Sequence, residues 1–496
     1  MRQNLIVGLH TYIHDGSLCT FDLNNNEIKY IKFERLTEKK HQYYNDPSMW
    51  IKYLNHLGYD YSQVRHIFCT EVVSLKMNIQ GLISIENFPQ NMLKNFDQET
   101  KLTLVDHHTA HFYSANFRNG LVVDDIGSQF DTMTVFKKNQ QKLKLENYTH
   151  GSLGRHLDYL WWLWFLKDKG ESVTNAKDKA GHTMALHGFG VDFSNKIGNI
   201  SYSNAHEAFV DFKKKFQDKK NVENDYVASL HHYHYKKIRN HLRMIFHKDE
   251  HITFTGGVGH NIILNSLLKN DFHNFEPQPH CGDEGLSIGA LMWGLRKTYN
   301  MKTRFSIEEM HQYDDNFGYA KKDTTKKVAE LLSQNKIVMW GQGWGELGPR
   351  ALGFRSILMN PCAPKAKEII NQKIKKRVWF RPYGASVPVD SYREYFEFDF
   401  ESPWMLFQAK VKDPIKFSNI THVDGTCRIQ TVKKNINPPY FRLLKDFEKL
   451  TGYPVLINTS MNLPGKPIVG TKEQAKIMFD NSQADVLVIG NEIHTK

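Results

Sequence analysis

Three short apolar runs, Leu5–Leu9, Ser17–Leu23 and Ile28–Phe33, come before the first helical pattern. Only turns separate them: His14-Asp15-Gly16, and Asn24-Asn25-Asn26, which reads as a hairpin. Three strands in succession cannot begin a simple βαβα alternation. Helical patterning starts after Glu34-Arg35, as over Met49–Leu57, and strands return at Val64–Cys69 and Leu102–Val105. The last leads into a helix from His107 through Asn116. Gly120–Val123 and Thr132–Phe136 then read as paired strands around the loop Asp124–Gln129. Strand triplets mixed with helices predict an α/β class with mixed (α+β) sheets rather than a purely parallel sheet.

The middle of the chain, about residues 147–237, is rich in helical patterns. A strand over Ile252–Phe254 then runs into Thr255-Gly256-Gly257. Residues 308–322 are polar and read as a domain boundary, followed by a helix over Lys326–Gln334 and a strand over Ile337–Trp340 that enters a Gly-rich loop. No internal repeat is visible. The 496 residues predict two to four domains, at roughly 150 residues each.

Composition excludes several classes. Hydrophobic residues make up 40% and charged ones 24%, which suits a folded chain and not a disordered one. The greasiest run, Tyr159–Leu166, falls far short of the roughly 18 apolar residues that span a bilayer, and no secretory leader is read at the N-terminus. Five scattered cysteines argue against a disulfide framework and for a reducing, cytoplasmic setting. Lys plus Arg number 65 and Asp plus Glu 53, a formal charge of +12, which fits anionic partners without choosing among them.

Chemistry concentrates in four places. In Val105-Asp106-His107-His108-Thr109-Ala110-His111, His107 and His111 are four apart and share a helix face, as two ligands of one metal would. Asp124, at a strand end, and Asp283, in Cys281-Gly282-Asp283-Glu284-Gly285, supply carboxylates where α/β folds place ion chemistry. Two His and two Asp suit iron(II), manganese or zinc. The second place is Thr255-Gly256-Gly257-Val258-Gly259, where Gly256 and Gly257 would let backbone N–H groups approach a phosphate; a plain turn is the alternative. The third is the Gly343–Arg355 segment with the basic stretch behind it, where Arg350, Lys375 and Arg381 read as an anion site and Lys365, Lys367 and Lys376 as a solvated face. The fourth is Asn458-Thr459-Ser460-Met461-Asn462, whose small polar side chains suit phosphate or ribose oxygens, or a turn. His231, His232 and His234 are set aside as a metal site, and the lysines of 213–220 read as a solvated helix surface, with a polyanion contact as the alternative. Together with the lysine-rich 137–144 segment and the aromatic cluster at 159–165, they lean toward a polyanionic acceptor.

Taken in order, VDHHTAH, GGVGHN, GDEGLSIGA, GELGPRALGFRSIL, WFRPYGASV, HVDGTCRIQTV and INTSMN resemble the O-carbamoyltransferases of nodulation-factor and antibiotic tailoring (NodU/CmcH type), nearly end to end. The resemblance implies an actin/Hsp70/sugar-kinase-like (ASKHA) domain over residues 1–310 and a YrdC-like domain over 311–496. It implies carbamoyl phosphate and ATP as co-substrates, with Mg(II) accompanying ATP, and a carbamoyl-adenylate made in the C-terminal domain. It also implies a divalent metal, Fe(II) or Mn(II), in the N-terminal domain, where the carbamoyl group passes to an acceptor hydroxyl. His107, His111, Asp124 and Asp283 match the metal positions, and His14 and His41 match positions beside the acceptor hydroxyl, where a base is needed. Arg350, Lys375, Arg381 and Arg428 match the basic set around the phosphates, and Asn458, Ser460 and Asn462 the loop beside them. The favoured acceptor is the hydroxymethyl group of 5-hydroxymethylcytosine in DNA; a sugar or antibiotic hydroxyl is the alternative, and tRNA threonylcarbamoylation ranks below both. No membrane partner is expected, and the oligomeric state stays open, a homodimer included. Asp125, Ser128, His182 and His260 depart from the family pattern.

Overall fold

The computed structural model describes residues 3–11, 14–42, 47–70, 100–115, 119–124, 131–138, 141–147, 151–172, 179–201, 203–301, 306–308 and 310–496. All six residues of Leu5–His10 (β1) are buried, as expected for a strand covered on both faces. β1 pairs antiparallel with Ser17–Asp22 (β2), which pairs antiparallel with Glu27–Lys32 (β3). On its other side β1 pairs in parallel with Val64–Thr70 (β4), and β4 with Lys101–Val105 (β5). The core of the first sheet is therefore β3-β2-β1-β4-β5.

The second sheet repeats that plan. Asn119–Val123 (β6), Asp131–Phe136 (β7) and Lys142–Asn147 (β8) form the antiparallel triplet. Ile252–Thr255 (β9) and Phe275–Pro277 (β10) add in parallel beyond β6. Order and pairing sense match the first sheet strand for strand. This duplicated unit is the ASKHA-type architecture expected for the N-terminal part. The duplication lies in topology, not in side chains, so the sequence shows no repeat.

Two elements place the site between these sheets. Asp106 caps the helix His107–Tyr113, its carboxylate accepting from the Thr109 backbone N–H at 2.8 Å. Helix Leu286–Lys297 follows the turn that carries Asp283. The two helices meet at Gly289, where a Cβ would stand 1.7 Å from the Ala110 carbonyl oxygen. Only glycine permits that approach, and it fixes Asp283 beside the two histidines.

A third, nine-stranded mixed sheet occupies the C-terminal part, in the order β16-β17-β18-β15-β19-β14-β12-β20-β21. Its strands are Val338–Gly341 (β12), Arg355–Met359 (β14), Gly384–Pro388 (β15), Phe396–Glu397 (β16), Phe407–Val411 (β17), Thr426–Val432 (β18), Leu456–Ser460 (β19), Val486–Ile489 (β20) and Glu492–Thr495 (β21). His311–Gln312 (β11) and Gly345–Glu346 (β13) instead extend the first sheet beyond β3. From residue 310 on, the polar stretch is thus structured. Asp314 is buried and its carboxylate accepts from Arg355 Nη2 at 3.3 Å, tying the segment after β11 to the start of β14. All five cysteines are unbridged. Among the described residues, no helix is long and apolar enough to cross a membrane.

Candidate active site and metal centre

His107 and His111 project from one face of their helix toward Asp124, at the end of β6. Their Nε2 atoms lie 3.1 and 3.0 Å from the same Asp124 Oδ2, and 3.6 and 3.5 Å from Asp283 Oδ1. One donor atom from each of the four residues falls within 4.8 Å of all the others. Ligands held about 2.1 Å from a common ion stand roughly 3 to 3.5 Å apart, so the His–Asp spacings suit a divalent metal. Burial opposes a charge on His107, but Asp283 and Asp124 outweigh it and push the imidazole up to about 10. Both carboxylates are held below their usual range: burial opposes this, and the facing histidines prevail. Such mutual stabilisation of opposite charges is what a cation would take over. His108, on another face of the helix, bonds Thr134 at 2.7 Å instead.

The two histidines expected beside the acceptor are joined by a residue that sequence reasoning passed over. One carboxylate, that of Asp15, receives His14 Nδ1 at 2.8 Å and His41 Nδ1 at 3.0 Å. Lys32 Nζ pairs with the same carboxylate and, at 3.1 Å, with Glu34. The Glu34 carboxylate accepts from the His41 backbone N–H at 2.8 Å, at a residue whose φ is 59°. Asp15, Glu34 and His41 have the spacing of a second metal group, but the Lys32 ammonium already supplies their cation. Burial notwithstanding, Asp15 holds Lys32 well above its ordinary value, with Glu34 adding to the effect. His14 Nε2 lies 3.6 Å from Asp283 Oδ2, which links this group to the metal cluster.

A cavity of about 730 Å³ opens between the N- and C-terminal parts. Lys32, Glu34, His41, Gly257 and His260 line it from one side; Arg350, Lys375, Arg377, Arg381, Arg428, Ser460 and Asn462 line it from the other. Among the described residues, none of the four arginines is within ion-pair distance of a carboxylate. Burial and their own crowding lower Arg428 well below its usual value and Arg381 to about 9. Cations held together without counter-charges call for an anionic ligand. Lys375 is buried and its Nζ donates to Ser460 O, Ser460 Oγ, Asn462 O and Asn462 Oδ1, so it orders the loop that carries them. Asn458 lines an adjoining recess and spends its amide N–H groups on Ala351, Ser386 and Gln430.

Gly256 has φ +87°, and a Cβ there would stand 2.2 Å from the Val123 carbonyl oxygen. The loop thus packs directly on the strand end that carries Asp124, while Gly257 reaches the cavity. Asp125 and Ser128 lie outside the described residues. His182 and His260 both line the cavity. His260 stands 3.3 Å from Glu284 and 3.3 Å from Cys281 Sγ. Among the described residues, the lysines of 137–144 and 213–220 do not line it; Lys40, Lys179, Lys376 and Lys466 do. Most of the aromatic run packs into the core, with Trp161 also reaching the cavity wall. Arg377 was legible only as part of a basic stretch, and Asp15 and Lys32 only as neighbours of His14 and Glu34.

A family model described as the N-terminus of carbamoyltransferases matches residues 91–292, and one described as their C-terminus matches residues 329–496. The nodulation protein NolNO of Sinorhizobium fredii is 26% identical over the whole chain and 81% of its own length. An uncharacterized protein of Synechocystis sp. is 36% identical over 50% of this chain and 48% of its own. The 3'-hydroxymethylcephem-O-carbamoyltransferase of Amycolatopsis lactamdurans is 34% identical over 48% of this chain and 47% of its own. The match thus spans about half the length of the last two. Among solved structures, the activator of the 2-hydroxyisocaproyl-CoA dehydratase from Clostridium difficile, with bound ADPNP, aligns over 61% of this chain and 100% of its own, at 13% identity and TM-score 0.37.

Proposed function

We propose, for a chain that belongs to the carbamoyltransferase family, an ATP-dependent O-carbamoyl transfer divided between the two sides of one cavity. The supporting observation is that the carboxylate-free arginine cluster and the His41–Lys32 group, which connects to the two-His, two-Asp cluster, line the same space. On the C-terminal side, Arg350, Arg377, Arg381 and Arg428 hold the phosphates of ATP and carbamoyl phosphate. Lys375 keeps the Ser460–Asn462 loop in place beside them. With water, carbamoyl phosphate and ATP give carbamoyl-adenylate, phosphate and pyrophosphate. Guanidinium groups already assembled there meet the charge that develops on the leaving groups without reorganising.

On the N-terminal side, the acceptor hydroxyl attacks the carbamoyl carbon; the bond to the adenylate oxygen breaks and AMP leaves. Asp15 holds Nδ1 of His14 and of His41, which leaves Nε2 of each ring as the nitrogen to accept the proton. A divalent metal held by His107, His111, Asp124 and Asp283 would supply Lewis-acid polarisation. This division assigns adenylate formation to residues 311–496, a YrdC-like unit, and transfer to residues 1–310.

The favoured acceptor is the hydroxymethyl group of 5-hydroxymethylcytosine in DNA. Its support is the set of exposed lysines at the cavity, Lys40, Lys376 and Lys466, which suits a phosphodiester chain. A base would have to leave the helix stack to reach the site. The second reading, a small sugar or antibiotic hydroxyl, is favoured by the cavity of about 730 Å³, a volume that encloses a drug-sized molecule. Enzyme, ATP, carbamoyl phosphate and metal are incubated with each acceptor and the products weighed by mass spectrometry. Gain of one carbamoyl group on hydroxymethylated DNA, with salt-sensitive binding, supports the first. Turnover of free sugars or nucleosides alone overturns it in favour of the second. No carbamoylation of any hydroxyl overturns the transfer reading.

A further inference from the structure

Two arginines of the C-terminal part are locked in opposite ways. Arg355, away from the cavity, is held by the Asp314 carboxylate and by the carbonyl oxygens of Gln342, Gly343 and Asp315. Arg381, on the cavity wall, is held by an imidazole: its Nη1 lies 3.0 Å from His182 Nε2. A guanidinium can only donate, so Nε2 accepts and the ring proton sits on Nδ1. The partners come from opposite sides of the cavity. His182 belongs to the short helix Ala180–Met184, which Thr183 ties to the Leu157 carbonyl oxygen at 2.8 Å. Its ring packs against Trp161 at a centroid distance of 4.9 Å. The charges that face it, those of Arg381, Lys179, Arg377 and Lys40, are all positive. With burial, they push the imidazole down to about 3, so the ring is neutral at working pH.

We propose that His182 is a positioning residue that fixes the Arg381 guanidinium across the cavity while leaving its positive charge uncancelled for the anionic substrate. The proposal rests on the reading of the arginine cluster as the site for ATP and carbamoyl phosphate. A carboxylate at position 182 would hold Arg381 at least as firmly, but would spend the charge that attracts phosphate. A neutral acceptor separates geometry from charge. This gives the departure at His182 a function of its own at the anion site.

The test compares the full-length protein with His182→Ala, His182→Gln and His182→Glu. Magnesium pyrophosphate binding is measured by calorimetry, KM for ATP and carbamoyl phosphate by phosphate release, and folding by thermal denaturation. The Gln amide oxygen can accept from Arg381 and is expected to recover what Ala loses, to within about threefold of the parent. Glu is expected to weaken pyrophosphate binding and raise both KM values by about tenfold or more, with an undiminished melting temperature. Equal behaviour of Gln and Glu, or an Ala variant that binds like the parent, overturns the proposal. A parent protein that binds neither pyrophosphate nor ATP overturns the site reading beneath it, and the proposal with it.

Discussion

His14 Nε2 stands 3.6 Å from the Asp283 carboxylate. A group suited to take the acceptor's proton therefore borders a residue suited to hold a metal, and neither touches the arginine cluster. Removing a metal donor should then separate the two half-reactions. His107→Ala leaves three of the four donors and is expected to lower bound metal and to slow carbamoyl transfer by about 100-fold or more. Pyrophosphate release from ATP should continue. Elemental analysis and separate assays of release and transfer check this; transfer at the parental rate would remove His107 from the site.

Asp15→Asn tests the shared carboxylate. An amide oxygen cannot anchor both Nδ1–H groups as Asp15 does, and of its two ion-pair partners Lys32 would keep Glu34. Transfer is expected to fall by about 10- to 100-fold while adenylate formation is retained. The measurement is single-turnover transfer at saturating ATP, beside pyrophosphate release under the same conditions.

Arg350→Ala acts on the other half. Arg350 lines both the main cavity and its adjoining recess. Its loss should reduce adenylate formation by about 100- to 1000-fold. Transfer from supplied carbamoyl-adenylate should suffer less. Equal loss in both assays would mean that the arginine cluster serves the transfer step as well.

How much of this was legible beforehand depends on the distance over which each signal acts. His107 and His111 declare themselves because one helix turn brings them together, and the N-cap Asp106 starts that helix at the needed residue. Asp15, Lys32 and Glu34 are equally central but meet only when β1, β2 and β3 are folded side by side. No local periodicity marks them. Arg355 and Arg350 stand five residues apart in one motif, yet one is locked by Asp314 and the other faces the cavity. Only burial tells them apart. The polar stretch from residue 310 hides its pairing for the same reason. Asp314 resembles a linker residue until Arg355, from a distant strand, supplies its partner.

Asp314→Ala is expected to be costly. Both partners of the pair are fully buried, and removing one strands an uncompensated guanidinium, at about 3 to 5 kcal/mol. Urea unfolding should show the loss as a lower midpoint. Because the pair joins the extended first sheet to the third, the loss should also appear as earlier exchange of backbone amides around β11 and β13. A midpoint within a few tenths molar of the parent would mean that Arg355 finds its carbonyl partners sufficient.

Acid should weaken the fold through histidines that are buried neutral. His156 Nδ1 lies 3.0 Å from His234 Nε2, so the two rings share one hydrogen bond that a second proton would break. Burial pushes His156 down to about 4, and His234 well below its ordinary value. The unfolded chain takes up these protons near the ordinary histidine value, while the folded chain resists until lower pH. Stability is therefore full above about pH 6.5 and is lost as pH falls toward 4, by on the order of 3 kcal/mol for His156 alone. Below that range, this residue adds no further loss. Urea midpoints measured across the window should fall with pH, and His156→Leu should flatten the slope by its share. An unchanged slope in that variant would show that His156 is protonated in the folded protein.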